Sequence, residues 1–125
     1  MNIQNVSRIT GLSTHTLRYY EKIGLLLNIK RDSKGYRDFF ERDLVWIELI
    51  KRLKATNMPH NEIKKFARLR SRGDSTINKR LEILQNHQAR VQRQMNELLI
   101  HQEKIKNKLN CVEKGVNLKT PEKSP

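Results

Sequence analysis

From Ile77 to Val112 the seam positions of one helix follow each other at alternating steps of four and three: Ile77, Leu81, Leu84, Gln88, Val91, Met95, Leu98, Gln102, Ile105, Leu109 and Val112. Five heptads of this regularity specify a coiled coil, because a mean repeat of about 3.5 residues keeps one stripe against a partner helix. At about 1.5 Å per residue such a helix spans on the order of 50 Å. A small domain cannot cover that stripe, so it needs a partner. The set Leu81, Gln88, Met95, Gln102 and Leu109 is a palindrome about Met95. In an antiparallel homodimer centred there, Gln88 and the partner's Gln102 fall in neighbouring layers and share the penalty of polar burial. Parallel pairing would stack glutamine on glutamine twice. The palindrome therefore favours antiparallel pairing, with the eleven seam positions as the dimer interface.

The chain as a whole is strongly basic. Its 26 Lys and Arg against 13 Asp and Glu give a net charge of +13, which calls for a polyanionic partner: nucleic acid, an anionic membrane surface or an acidic protein. Residues 1–73 hold 16 basic and 7 acidic side chains, net +9, and residues 74–125 only net +4, so the polyanion is expected on the first part. No apolar run reaches membrane-spanning length and there is no signal-peptide core, so a cytoplasmic protein without a membrane partner is expected. A single cysteine, Cys111, excludes an intrachain disulfide framework.

Near the N-terminus, Ile3, Val6 and Ile9 recur at helical spacing before Gly11, a helix stop, and Ser13 is placed to cap a second helix running to about Ile23. Two short helices about a tight turn present the second one to the DNA major groove, its early residues nearest the base edges. Arg18 and Lys22 share a face, Tyr19 and Tyr20 add hydroxyl-bearing rings, and Gly24 ends the helix. Ser13, Thr14, His15, Thr16, Arg18, Tyr19, Tyr20 and Lys22 are the candidates for contact with double-stranded DNA. Spacing alone leaves an ordinary helical hairpin with a solvated face equally open.

Lys30 to Arg37 forms a polar, glycine-containing turn between apolar runs and reads as a small β-hairpin. A basic hairpin in this place is a wing, and Lys34, Tyr36 and Arg37 are its candidates for the flanking phosphates. A solvated loop tip is the plainer reading of the charges, but a ring beside a guanidinium can stack on sugar and clamp phosphate. A third helix, about Asp43 to Thr56, carries the core stripe Leu44, Trp46, Ile47, Leu49, Ile50 and Leu53. Met58-Pro59 opens a fourth, with Ile63, Phe66, Ala67 and Leu69 inward and Lys64, Lys65, Arg68 and Arg70 outward. These four cations fit plain solubility as well as DNA contact.

Thr16 to Leu26, followed by Gly35-Tyr36-Arg37 and the amphipathic helix from Asp43, resembles the DNA-binding domain of MerR-family transcription regulators. Gly73 to Ile77 resembles the start of the dimerisation helix in the short members of that family. The resemblance implies a mainly α fold: a winged helix-turn-helix domain over residues 1–72, with the helix-turn-helix at about 3–23 and the wing at about 27–40. A dimerisation helix over 74–113 follows, paired as an antiparallel coiled coil, and the polar stretch 114–125 is expected to be a disordered tail. Also implied are a homodimer on a two-fold promoter operator, distortion of the DNA between promoter elements to serve RNA polymerase, and a second wing at 57–60. Phe40 stands where the family commonly has a Ser or Thr cap, so that cap must be missing or supplied differently. Asn57 stands where the family has Gly, and Asn is the next-best residue at a left-handed helix end.

No cofactor or metal is expected. One thiol cannot form a soft-metal cage, and His87 and His101 read as isolated surface histidines flanking the seam. The third and fourth helices hold no cysteine, which excludes thiol sensing there; Cys111 reads as a buried, inert thiol. His15 and His60 read as DNA-proximal or structural. No paired carboxylates, Cys/His/Asn set or phosphate-cradling glycine loop points to an enzyme. The alternative to a transcription regulator is a non-regulatory winged-helix DNA binder, such as a recombination accessory or architectural factor.

Overall fold

The computed structural model describes residues 1–115. They fall into two units, residues 1–85 and a second from Asn86 onward. In chain order the elements are α1 (Ile3–Thr10), α2 (Thr14–Lys22), β1 (Lys30–Arg31), β2 (Arg37–Asp38), α3 (Glu41–Ala55), α4 (His60–Ser71), a 3-10 turn (Asp74–Thr76) and α5 (Ile77–Glu113). The mainly helical fold with a small wing is as expected.

Local side chains punctuate the first unit. The Asn2 side chain accepts from the Asn5 N–H at 2.9 Å and caps α1; Gly11 ends it at φ 75, in the left-handed region open to glycine. Ser13 Oγ accepts from the Thr16 N–H at 3.0 Å and caps α2 as expected. The chain then turns over Gly24, and the Leu25 and Leu26 N–H groups both donate to the Tyr20 carbonyl. β1 and β2 pair antiparallel, Lys30 opposite Asp38 and Arg31 opposite Arg37. The Phe39 N–H donates to the Met1 carbonyl at 2.8 Å, tying the end of the wing to the start of the chain.

α3 begins at Glu41, two residues before the expected Asp43. Phe40 has no acceptor with which to cap it. Asp43 serves instead: its Oδ2 accepts from the Phe40 N–H at 2.8 Å, and the Phe40 carbonyl accepts from the Asp43 N–H at 2.9 Å. This is the carboxylate half of a capping box, and the acid also sits in the first turn, where the helix dipole favours it. α3 ends before Asn57, which takes φ 66, as expected of a left-handed helix end.

The core joins α1 through α4. Val6, Leu17, Leu25, Leu26, Phe39, Ile47, Ile50 and Ile63 are almost wholly enclosed, and Ile83 and Leu84 at the start of α5 pack against this cluster. The Trp46 indole N–H donates to the Leu25 carbonyl at 2.8 Å, and its ring stacks on Phe66 with centroids 5.3 Å apart. The inward set of α4 is as expected, except that Arg70 is not simply outside. Its guanidinium lies over the Trp46 ring at 5.5 Å and donates to the Arg42 carbonyl at 3.0 Å.

The second unit is the continuation of α5, which closes in a turn at Lys114 and Gly115, with Gly115 at φ 76. Of the expected tail, residues 116–125 lie outside the described residues. No helix among the described residues is long and apolar enough to cross a membrane. Replacing Asp43 by Ala removes the cap of α3 and is expected to lower the unfolding free energy by about 1–2 kcal/mol. A lower urea midpoint with unchanged slope would show it.

Candidate nucleic-acid interface

The capped turn before α2 sets where its first residues project. Ser13 and His15 are exposed, and Thr14 and Thr16 are half-buried. Ser13 Oγ also donates to Thr16 Oγ1 at 2.9 Å, and an Arg18 amino nitrogen donates to Thr14 Oγ1 at 3.4 Å. Arg18, Tyr19 and Lys22 continue the exposed face.

Tyr20 does not belong to that face. It is 6% exposed and part of the core, with Lys54 Nζ 4.8 Å from its ring centroid. The correction follows from helical geometry: Tyr20 lies three residues after Leu17, on the inward row, whereas Tyr19 lies beside Arg18. The two adjacent rings therefore point apart, Tyr19 outward and Tyr20 into the core.

The wing turn is organised by Asp32. Its Oδ1 accepts from the N–H groups of Lys34 and Tyr36, both at 2.9 Å, while its own N–H donates to the Tyr36 carbonyl at 2.8 Å. An aspartate that bonds the backbone two residues on mimics a backbone turn. Gly35 takes φ 86 at the tip, and Lys34 and Tyr36 are exposed, Tyr36 at 69%.

Arg37 is half-buried, and its Nε donates to Glu21 Oε1 at 2.7 Å; the Arg31 guanidinium reaches the same oxygen at 3.5 Å. The wing is thereby fastened to α2. Nothing in the spacing singles out Glu21, which sits among the cations of the recognition helix, because its partner lies sixteen residues away. Of the five N–H donors of Arg37 this pair uses one, so the residue can both position the wing and offer donors to an anion.

These parts meet in one shallow cleft of about 500 Å³, lined by Arg18 from α2, by Arg31, Lys34, Tyr36 and Arg37 from the wing, and by Asn2 and Gln4 at the start of α1. Arg31, Asn2 and Gln4 were not expected there. Arg31 could have been read from the basic run of the hairpin, whereas Asn2 and Gln4 arrive only because the chain start is tied to Phe39. A second shallow depression, lined by Lys54, Asn57, Met58, Pro59 and His60, lies at the α3–α4 turn, the place of the implied second wing.

On α5 the seam residues Ile77, Leu81, Met95, Leu98, Ile105, Leu109 and Val112 are exposed, as are Gln88 and Gln102; Leu84 and Val91 are half-buried. Cys111 is half-buried rather than buried. His87 is buried, correcting the surface reading, and an Arg90 amino nitrogen lies 3.3 Å from its Nδ1. Among the described residues no cluster of three His, Cys, Asp or Glu side chains could hold a metal ion.

Residues 1–69 match the family described as MerR HTH family regulatory protein, and residues 44–107 match a second described as MerR, DNA binding. The chain belongs to the MerR family. An uncharacterised HTH-type transcriptional regulator of Haemophilus influenzae is 40% identical over 105 residues, spanning 84% of this chain and 78% of the relative. Among solved structures, HiNmlR, a MerR family regulator lacking the sensor domain and bound to promoter DNA, superposes with a TM-score of 0.80 at 37% identity, covering 90% of both chains. A MerR family regulator from Listeria monocytogenes superposes with a TM-score of 0.83 at 26% identity, covering 90% of this chain and 86% of its own. The relatives are transcriptional regulators, so the reading as a regulator stands and the architectural or recombination alternative does not.

Replacing Glu21 by Gln weakens the wing's fastening to a neutral hydrogen bond and removes one negative charge beside the cleft. Affinity for scrambled duplex is expected to rise, because a repulsive charge is gone. Affinity for the operator is expected to gain less, so that their ratio falls several-fold, about 1 kcal/mol for a partly exposed pair. Fluorescence anisotropy on both duplexes at one salt concentration measures it.

Proposed function

We propose that this MerR-family regulator binds a two-fold promoter operator as an antiparallel homodimer through the cleft between α2 and the wing. The observation that carries the reading is the shared lining of that cleft: Arg18 of the recognition helix with Lys34, Tyr36 and Arg37 of the wing. Ser13, Thr14, His15 and Thr16 at the start of α2 approach base edges, while Arg18, Tyr19, Lys22 and the wing cations hold phosphates on either side. The α3–α4 turn, with Lys54 and His60, takes a further phosphate as the second wing. HiNmlR bound to promoter DNA supports the assignment by its similar fold.

The dimer is supported by the exposed seam of α5. Apolar side chains at heptad spacing, Leu98 and Ile105 among them at 67% exposure, gain from burial against a second copy. Pairing about Met95 sets two heads on one two-fold axis, which demands a two-fold operator with half-sites separated by whole helical turns. With few base contacts per head, selectivity comes in part from the deformability of the operator centre, and distortion there realigns promoter elements for RNA polymerase. The residue ranges are those of the organisation read above: DNA binding over 1–72, dimerisation over 74–113 and a tail over 114–125. A protein of this kind acts on DNA in the cytoplasm, and no step of this function is enzymatic.

Arg18→Ala and Lys34→Ala are expected to weaken binding to operator and unrelated duplex alike, each reducing the slope of log affinity against log salt by about one. An unchanged slope for the double variant would remove the cleft from the interface. For the dimer, sedimentation equilibrium at micromolar protein should give twice the chain mass. Leu98→Glu should shift it to monomer and abolish operator binding, because a charge then meets an apolar seam.

A further inference from the structure

A second cationic site lies outside that cleft, at the N-terminal end of α3. Arg42 from the first turn of α3, Arg70 from the last turn of α4 and Arg80 from α5 line one cavity of about 300 Å³, together with Asp43, Trp46 and Asp74. All belong to the first unit.

Each guanidinium is held by a neutral partner. Arg70 donates to the Arg42 carbonyl at 3.0 Å and lies over Trp46. Arg80 Nε donates to Thr76 Oγ1 at 3.1 Å, and one of its amino nitrogens donates to the Gly73 carbonyl at 3.3 Å. Arg42 lies over the Phe40 ring, 4.8 Å from its centroid. None of the three forms an ion pair among the described residues. Asp43 has one carboxylate oxygen engaged by the Phe40 N–H, and Asp74 is exposed. Three arginines against two aspartates leave the cavity net positive.

Burial holds the Arg70 guanidinium pKa below its ordinary value; the Asp43 carboxylate opposes this, and the Arg80 and Arg42 cations add to it. Arginine stays charged at neutral pH even so. Like charges gathered by the fold, with Arg70 partly desolvated and none of the three in a direct ion pair among the described residues, are stabilised by an anion. Planar guanidiniums suit carboxylate and phosphate oxygens, which they bind through paired N–H donors.

We propose that the cavity between Arg42, Arg70 and Arg80 is a binding site for a small free oxyanion, a carboxylate or phosphate group on a molecule that fits about 300 Å³. Such a ligand bridges α3, α4 and the start of α5. The site does not rest on the DNA-binding reading, since it shares no residue with the cleft around Arg18 and Lys34.

The test uses the full chain without DNA, titrated with inorganic phosphate at constant ionic strength by calorimetry and by thermal shift, with chloride as the control. One saturable phosphate per chain is expected, with a rise in melting temperature that chloride does not reproduce. Arg42→Gln and Arg80→Gln should each weaken it about tenfold or more, as loss of a charge-assisted hydrogen bond does. Arg18→Ala with Lys34→Ala should leave it unchanged. Arg70 packs on Trp46, so the exposed Arg42 is the decisive position. Equal response to chloride, or retained phosphate binding in a folded Arg42→Gln protein, would overturn the proposal. So would a loss of operator affinity and salt slope in Arg42→Gln matching that of Arg18→Ala, since the cavity would then take a DNA phosphate.

Discussion

The DNA-binding unit hangs on the hydrogen bond from the Trp46 indole to the Leu25 carbonyl. That carbonyl belongs to the chain just after the recognition helix, where the backbone has turned over Gly24 and the Leu25 and Leu26 side chains have entered the core. A buried carbonyl left unpaired would cost about 1–3 kcal/mol, and the indole N–H removes that penalty while its ring stacks on Phe66 of α4. One side chain thus binds the end of α2 to α3 and α4. The face that α2 presents is therefore set from beneath, by the same contact that closes the core.

The wing depends on a different kind of interaction. Its two short strands bury little, so turn chemistry and charge define it: Asp32 shapes the tip, and Glu21 draws Arg37 and Arg31 toward α2. The pattern suits a surface that must meet a polyanion. Cations of the wing tip stay exposed, while the half-buried Arg37 has a carboxylate at 2.7 Å. Lys51, also half-buried, reaches the Thr10 carbonyl and Glu48, linking α3 to the end of α1. In a chain of net charge +13, Asp32 and Glu21 thus position the wing.

What could be read from the sequence was whatever a residue does within its own neighbourhood. Gly11, Ser13, Gly24 and Asn57 mark helix ends because the backbone freedom or side-chain oxygen that ends or starts a helix belongs to the residue itself. The heptads of α5 and the apolar stripes of α3 and α4 are legible for a similar reason, since helical periodicity assigns faces. Most of the failures required a partner. Tyr20 reads as one of two exposed rings until the core claims the row it shares with Leu17. The cap of α3 looks absent at Phe40 because the acceptor is three residues on, at Asp43. Arg70 counts as one more outward cation until Trp46 and the Arg42 carbonyl lie beneath it, and Glu21 is one more polar residue until Arg37 folds back.

The two cationic sites differ in a way that bears on their use. In the cleft, the exposed Arg18 and Lys34 stand in water, where charge is screened and each contact to a phosphate adds a modest, salt-dependent increment. Such an environment discriminates little between one phosphate-bearing polymer and another. At Arg70 the guanidinium has already lost part of its hydration and is set against a ring and a carbonyl, with Arg42 and Arg80 near it. Desolvation strengthens each remaining interaction and restricts it to ligands of fitting shape. A polymer that must be bound at many positions suits the first environment, and a small molecule that must be distinguished from others suits the second.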